Sequence, residues 1–541
     1  MNLIRVLSAT DERAPTANAS AVTLLFILIV LLLLILNRLP TFWIPLFNID
    51  EAIHIVCGWL WSEGETPYID FADHKPPLAW LFFGVCVRIF GMNLYVIHVA
   101  ALLIVAVTIY IIYRAVVLVE PRAGYWAAIL YAALEAAYLW QDTLATNMEL
   151  LFNLPTSAAL FCCLAAQKAD RRIGIIAWNW LCGFFIGCAF WIKPQAGIVL
   201  PVTILFIAFA NRFGWSGIKQ PWQKTLVGGL TIVSGFFAFS LLVMGWASVA
   251  GILPELLRFT ILDNIRYARH GPTGYHYEWR LICLPTWIGS STLVAWFGLG
   301  VLIWKLIRQA HTPRQSWLFV LMTVACVLPV SIGGRFYGHY FIQFFPGLFA
   351  SAGIGLQLFF SGIRRPRLAQ RLTLVVLLWL LGVMIFMQVY GRLTWQKQTT
   401  EAAKGHWREI GHYVNQHTRL SDRIFVWGFS TPIYYWAYRK PATRYIFISS
   451  QISGYIPGHR GLLSTGMRPD ASDLIRSEDR DYLLRQLREN HPEMIIDTSP
   501  AGIYDYQYYP LSVFPELKDY VDQYYHETAR VAGATIYRRA N

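Results

Sequence analysis

Charged residues are scarce in this sequence. They make up 14% of its 541 residues, whereas hydrophobic residues make up 56%. Apolar runs of about 20 residues recur along the chain, and a helix of that length crosses the hydrocarbon core of a bilayer. The composition excludes an ordinary water-soluble globular protein and predicts a polytopic α-helical membrane protein.

Several common site patterns are also missing. The eight cysteines lie mainly in or near apolar segments, and none follows Cys326. Neither a disulfide framework nor a Cys-x-x-Cys metal site is therefore present. The C-terminal part has no glycine-rich phosphate loop, no nucleotide fingerprint and no Ser-His-Asp spacing. We assign that part to binding or support.

Basic residues outnumber acidic ones, and the formal net charge is +13. The Lys and Arg residues fall in short loops between apolar runs, where they set membrane topology, and not in one basic patch. This distribution argues against a nucleic acid partner. With a cytoplasmic N-terminus every inner loop is basic, which places the loops at 40–93 and 248–283 and everything after about residue 392 outside.

We predict about eleven membrane spans, of which the first is a retained segment and not a cleaved signal peptide. The stretch LAWLFFGVCVRIFG after Pro77 is too short to cross comfortably, so we predict an interfacial helix there. The spans lie near residues 21–39, 94–118, 124–141, 148–167, 173–192, 195–210, 225–247, 284–304, 316–333, 337–360 and 371–391.

The chain divides into two predicted domains. Residues 1–392 form a membrane domain with the first outer loop at 40–93, and residues 393–541 form an extramembrane α/β domain. In the second domain the strand-like runs DRIFVWG and MIIDTS alternate with amphipathic helices, and TIYRR is a last edge strand. In a bacterium this places the protein in the inner (plasma) membrane, with the C-terminal domain in the periplasm or at the exterior.

The first outer loop concentrates polar residues in a chain poor in charge. Asp50 and Glu51 follow the first span and are candidates for a base or a metal ligand, with two solvated loop carboxylates as the alternative. His74 and Lys75 precede two prolines, which keep this segment extended. Lys75 at the membrane surface suits a lipid phosphate, and a snorkelling lysine is the alternative.

Further candidates lie in later outer segments. Glu149 begins an apolar run in which an unpaired carboxylate would be costly, and Asp142 competes with it for the same role. The basic and aromatic loop at 248–283 contains Arg266, and SIGGRFYGHYFIQFFPGL contains Arg335 and Tyr340. Arginine and tyrosine suit phosphate groups, and an interfacial belt is the alternative for the loop at 248–283.

These features together resemble the GT-C superfamily of membrane glycosyltransferases that use polyprenyl-phosphate sugars, in the branch of the protein O-mannosyltransferases and the lipid A aminoarabinose transferases. The resemblance covers most of residues 20–360. It rests on an acidic pair after the first span, a Lys-Pro in the first outer loop, an acid after the third span and a basic loop before the eighth.

The resemblance implies roles for individual residues. Asp50 is similar to the catalytic or acceptor-orienting carboxylate, Glu51 is its neighbour, and Glu149 is similar to the second acid. Donor phosphate binding is implied for Lys75, Arg335 and Tyr340, and the chemistry of the basic loop adds Arg266 as a fourth candidate. Where the aminoarabinose transferases have Glu-Lys-Pro, with the Glu as a metal ligand, this chain has His74, Lys75 and Pro76. A divalent metal ion is therefore an optional cofactor here, with His74 and Asp50 as its candidate ligands.

The implied activity is transfer of a hexose or pentose from a polyprenyl-phosphate donor to a protein, lipid or envelope glycan, with inversion by direct displacement. The bilayer, the donor and the acceptor are the expected partners. Two alternatives stay open. A transporter or lipid flippase would favour two matching halves and mid-span acids, which this sequence lacks. A membrane scaffold would tolerate loss of Asp50, which an enzyme would not.

Overall fold

The computed structural model describes residues 4, 7–8, 19–136, 140–215, 219–269, 291–309, 311–332, 336–401, 404–455 and 472–540. Within these ranges the N-terminal three quarters of the chain are mainly helical, and a small sheet lies in the C-terminal part. This agrees with the predicted class, a polytopic helical membrane protein with a C-terminal α/β domain.

Eight helices among the described residues are long and apolar enough to cross a membrane. Each coincides with one of the predicted spans. Their exposed side chains are largely aliphatic and aromatic, as a lipid-facing surface requires. The eight are Leu94–Val117, Met148–Lys168, Arg172–Ile192, Pro194–Phe213, Trp222–Val249, Arg314–Ser331, Gly338–Ser361 and Pro366–Leu393.

The other three predicted spans overlap the helices Ala19–Asn37, Ala123–Leu134 and Leu293–Arg308. Residues 284–290 of the predicted span 284–304 lie outside the described residues. Ala123–Leu134 ends before the predicted residue 141. Glu135, which follows it, forms a buried ion pair with Arg38, with 2.8 Å between Arg38 Nε and Glu135 Oε1. Arg38 also donates to the carbonyl oxygen of Thr143, so one buried cation contacts both Glu135 and the helix Trp140–Leu144.

Two helices of the first outer loop pack closely against each other. They are Ile49–Ser62, which begins beside the acidic pair, and Leu78–Phe90, which follows the two prolines. A Cβ on Gly58 would lie 2.6 Å from the backbone nitrogen of Gly84, so only glycine permits this crossing. The second helix exposes one apolar face, including Leu81, Val85 and Ile89, as expected for an interfacial helix.

Short helices connect these longer elements. Trp140–Leu144 precedes the Met148–Lys168 helix, and Leu253–Leu257 is followed by a π-helical turn at Arg258–Leu262 and by the helix Asp263–Arg269. The C-terminal part contains the helices Lys404–His417, Pro432–Ala437, Ser450–Ser453, Ser477–Asn490 and Pro515–Tyr524.

The C-terminal sheet has five strands in the order β2-β1-β3-β5-β4. The strands are β1 (Arg423–Trp427), β2 (Lys440–Pro441), β3 (Met494–Asp497), β4 (Tyr525–Val531) and β5 (Ala534–Arg539). β1 is parallel to β2 and β3, whereas β5 is antiparallel to β3 and β4. The expectation that TIYRR forms an edge strand was wrong, because β4 pairs with its outer side.

The C-terminal domain contacts the first outer loop directly. The backbone N–H of Ala72 donates to the carbonyl oxygen of Arg444 at 2.8 Å. Glu65 Oε1 accepts from Arg423 at 2.8 Å and from Lys440 at 3.0 Å. The segment that carries Lys75 is therefore held against the domain that follows the last span.

Candidate functional site

Asp50 and Glu51 lie in the first turn of the Ile49–Ser62 helix. The side chain of Asn48 caps this helix by accepting the N–H of Glu51 at 3.0 Å. Adjacent helical residues point in directions about 100° apart, so the two carboxylates have different surroundings.

Glu51 is completely buried and fully engaged. Its Oε1 lies 2.8 Å from His98 Nε2 and accepts the N–H of Thr146 at 2.8 Å, while Oε2 accepts the N–H of Phe47 at 3.2 Å. Burial alone would raise the pKa of Glu51, but His98 and the N–H donors lower it below its ordinary value. These contacts tie three separate segments together.

Asp50 faces a group of cations and has a partly exposed side chain, 27% by accessible area. Its Oδ2 lies 3.8 Å from His339 Nε2, and His339 Nδ1 lies 3.9 Å from Asp142 Oδ1. Burial would raise the pKa of Asp50, but Lys75 and then His339 lower it below its ordinary value. Asp50 is therefore an ionised carboxylate with access to solvent.

Lys75 lies in the polar segment before the two prolines and is buried. Its Nζ is 2.8 Å from Asp73 Oδ2, and its carbonyl oxygen accepts from the Tyr68 hydroxyl at 2.8 Å. Burial would lower the pKa of Lys75, but Asp73 and Asp50 raise it above its ordinary value. The lysine is a fixed cation.

Glu149 and Lys193 form a buried ion pair at the start of one spanning helix and the end of another. Lys193 Nζ also lies 4.4 Å from the centre of the Tyr340 ring, a cation–π contact. The second oxygen of Glu149, Oε2, is buried without a hydrogen-bond partner among the described residues. An oxygen in that state can accept a donor from a bound molecule.

Lys193 is absent from the residues predicted from sequence. It belongs to WIKPQAG, a Lys-Pro that ends an apolar run, and this is the same signal that drew attention to Lys75 and Pro76. His54 was also missed. It lies one turn after Asp50 in the same helix, and burial, followed by the charge of Lys75, holds its pKa well below the ordinary value.

The predicted phosphate ligands have different contacts in the structure. Arg266 is mostly exposed and lies 3.5 Å from Asp263, and Arg335 lies outside the described residues. Tyr340, in contrast, lies beneath Lys193.

The two candidate metal ligands have different partners. His74 Nδ1 is 2.7 Å from Asp73 Oδ1, whereas Asp50 approaches His339. Among the described residues no group of three or more His, Cys, Asp or Glu side chains is arranged to hold a metal ion. His74 and Asp50 thus do not fit a shared metal site in this geometry, and no step below uses a metal.

The family model for dolichyl-phosphate-mannose-protein mannosyltransferase matches residues 74–239. No curated protein sequence matches the chain significantly. The fold, however, resembles solved structures over nearly its full length. ArnT from Cupriavidus metallidurans bound to undecaprenyl phosphate has a TM-score of 0.59 and 15% sequence identity, over 96% of this chain and 98% of that chain.

The oligosaccharyltransferase AglB from Archaeoglobus fulgidus, in complex with an inhibitory peptide and a dolichol-phosphate, has a TM-score of 0.52 and 12% identity, over 96% of this chain and 74% of that chain. An Archaeoglobus fulgidus oligosaccharyltransferase in complex with Zn and sulfate has a TM-score of 0.52 and 13% identity, over 95% of this chain and 73% of that chain.

Fold and site together define a multi-pass membrane protein with charged groups gathered at one end of its helices. The comparisons confirm the resemblance expected from sequence: the chain has the fold of the GT-C membrane glycosyltransferases, and its residues 74–239 match a GT-C mannosyltransferase family.

Proposed function

We propose that this protein transfers a sugar from a polyprenyl-phosphate donor to an acceptor hydroxyl on the outer face of the membrane. The observation that carries the proposal is the position of Asp50. It is an ionised, solvent-accessible carboxylate influenced by Lys75, His339 and Lys193, all of which lower its pKa. A base beside fixed cations suits transfer from a phosphate leaving group.

In the proposed reaction the acceptor oxygen attacks the anomeric carbon and the bond from that carbon to the phosphate oxygen breaks. Asp50 receives the acceptor proton, and the electron pair of the broken bond stays on the phosphate. Lys75 and Lys193 stabilise the charge that develops there. One direct displacement inverts the anomeric centre.

Glu149 and Tyr340 position Lys193 through the ion pair and the cation–π contact. Two remaining predicted residues, Arg266 and Arg335, are proposed to reach the phosphate from the outer segments that carry them. Glu51 supports the reaction by fixing the helix that carries Asp50. Two structural neighbours support the donor class, since ArnT was solved with undecaprenyl phosphate and AglB with a dolichol-phosphate.

The acceptor class is left open among protein, lipid and envelope glycan, and the sugar between hexose and pentose. We place the site at the periplasmic or exterior face of the inner (plasma) membrane because the basic loops lie on the opposite side of the spans.

The test of this proposal is transfer by the full-length protein in lipid nanodiscs. Radiolabelled polyprenyl-phosphate sugars are supplied one at a time with protein, lipid and glycan acceptor fractions, and labelled product is measured. We expect transfer from at least one donor and none from the matching sugar nucleotide. Transfer from sugar nucleotides alone would contradict the proposed donor class.

A further inference from the structure

The segment 65–75, which ends at Lys75, is in contact with a second segment. The second segment is 258–264, which follows the Trp222–Val249 span. Asn264 Nδ2 donates to the carbonyl oxygen of His74 at 2.6 Å. The position of Lys75 therefore depends on where both segments are held.

One carboxylate of the C-terminal domain lies at the junction of these segments. Asp479 is at the start of the Ser477–Asn490 helix and its side chain is only 2% exposed. Its Oδ1 accepts from Arg258 at 2.6 Å, from the Tyr445 hydroxyl at 2.8 Å and from Arg444 at 3.2 Å. Arg258 belongs to the second segment.

The first segment reaches Asp479 through Arg444 and Tyr445. Ala72 pairs with this dipeptide by the hydrogen bond to the carbonyl oxygen of Arg444, and Ala72 and Tyr445 form an isolated parallel bridge. The guanidinium of Arg444 also stacks 3.7 Å from the centre of the Tyr482 ring. Asp479 is therefore one of the side chains that anchor this dipeptide, together with Gln486, whose Oε1 accepts the N–H of Arg444 at 2.8 Å.

A second ion pair runs parallel to the first. Arg476 Nη2 donates to Asp263 Oδ1 at 2.7 Å, and Arg476 Nη1 lies 3.6 Å from Asp479 Oδ2. Removing Asp479 would leave Arg444, which is almost fully buried, without its carboxylate. Unpaired buried charges are costly, so the surrounding segments would move to reach water.

We propose that Asp479 is a positioning residue for donor binding: it joins segments 65–75 and 258–264 to the C-terminal domain and so fixes Lys75 at the donor phosphate. This inference rests on the proposed function, and it gives the C-terminal domain the task of setting donor affinity without taking part in bond making.

The experiment compares full-length wild type and Asp479→Asn in nanodiscs. Undecaprenyl phosphate is the probe for equilibrium binding, and donor KM and kcat are measured separately. Complete loss of the Lys75 contact with the phosphate would raise Kd by roughly 10- to 150-fold. We therefore expect Asp479→Asn to raise Kd and donor KM by up to that factor. Because Lys75 also stabilises the leaving phosphate, we expect kcat at saturating donor to fall as well, but by a smaller factor than donor KM rises. We expect amide exchange in residues 65–75 to become faster.

Arg258→Gln is the second variant, because Arg258 is partly exposed and its loss leaves the interior of the C-terminal domain intact. It should show the same split between KM and kcat. Glu493→Gln is the matched control. Glu493 pairs with Arg538 at 3.0 Å within the same domain, and its loss should leave donor KM unchanged.

The outcomes separate the two proposals. If wild type binds undecaprenyl phosphate and both Asp479→Asn and Arg258→Gln bind it equally well, this inference is refuted and the proposed function stands. A loss of kcat at saturating donor with unchanged KM would also refute it. If wild type neither binds undecaprenyl phosphate nor transfers sugar from any polyprenyl-phosphate donor, the proposed donor class is refuted, and the donor-affinity role of Asp479 falls with it.

Discussion

Two neighbouring acids, Asp50 and Glu51, differ in what surrounds them. Glu51 is enclosed by His98 and two backbone N–H groups. Asp50 is partly exposed to solvent, and the charge of Lys75 lowers its pKa. Glu51 stabilises the start of the helix, whereas the adjacent Asp50 is open to a substrate. A variant of Glu51 can therefore serve as a control for a variant of Asp50.

Asp50→Asn keeps the shape of the side chain and removes the base. We expect turnover to fall by about 100- to 10,000-fold, the range of general base catalysis, with little change in thermal stability. Sugar transfer and a melting curve on the same preparation are the measurements. Glu51→Gln should instead lower the free energy of unfolding by about 1–3 kcal/mol, because buried groups lose their partner. Full activity of Asp50→Asn would remove Asp50 from the chemistry.

Lys75→Ala removes the cation that lowers the pKa of Asp50 most. We expect donor affinity or turnover to drop by roughly 10- to 150-fold, the equivalent of one charged hydrogen bond. Binding of undecaprenyl phosphate measures the first and transfer the second. Lys518→Ala is the control, since Lys518 pairs with Asp522 on an exposed helix. Equal affinity in the folded Lys75 variant and the control would reassign Lys75 to membrane anchoring.

At the scale of helices, the crossing of Ile49–Ser62 with Leu78–Phe90 positions Asp50 and Lys75. These helices flank the segment of Lys75, and Gly58 and Gly84 allow their backbones to touch. Gly58→Ala would place a methyl group 2.6 Å from backbone and side-chain atoms of the second helix. We expect a loss of about 1–3 kcal/mol in stability, as for other overpacked sites, and a lower kcat.

Gly245→Ala is the matched control for this change. Gly245 also lies inside a helix, but a Cβ there meets nothing within 4 Å. Thermal unfolding and transfer should both stay near wild type for Gly245→Ala. If Gly58→Ala behaved in the same way, the close crossing of the two helices would not be needed for the site.

Sequence patterns were sufficient for the helical spans and for the segments that carry Asp50 and Lys75, because composition and local order determine them. They were insufficient for Lys193 and for His339 as the group between Asp50 and Asp142. Those contacts join distant helices, and the distance between such residues depends on packing that no local pattern records. The early end of the predicted span 124–141 was not foreseen either. The pairing of Glu135 with Arg38 is a contact between distant positions, and a local pattern does not record it.

For the molecule as a whole, the contact of the C-terminal domain with the first outer loop requires both to lie on one side of the membrane. We therefore expect a reporter that works only in the cytoplasm to be silent when fused after Asn541. The same reporter in the basic loop after Lys168 should be active, because positive loops stay inside. Reporter activity and protein level are compared, and an active C-terminal fusion would contradict this topology.

Lys75 and Lys193 each already have a carboxylate partner, Asp73 and Glu149. A loaded donor is a phosphodiester with one negative charge, whereas the spent carrier is a phosphomonoester with about −1.5 to −2 at pH 7. Two unpaired lysines would hold the spent carrier more tightly than the fresh one. In the proposed reaction, Asp73 and Glu149 offset part of the positive charge of the two lysines, so the preference for the spent carrier is reduced and its exchange for a loaded donor is easier.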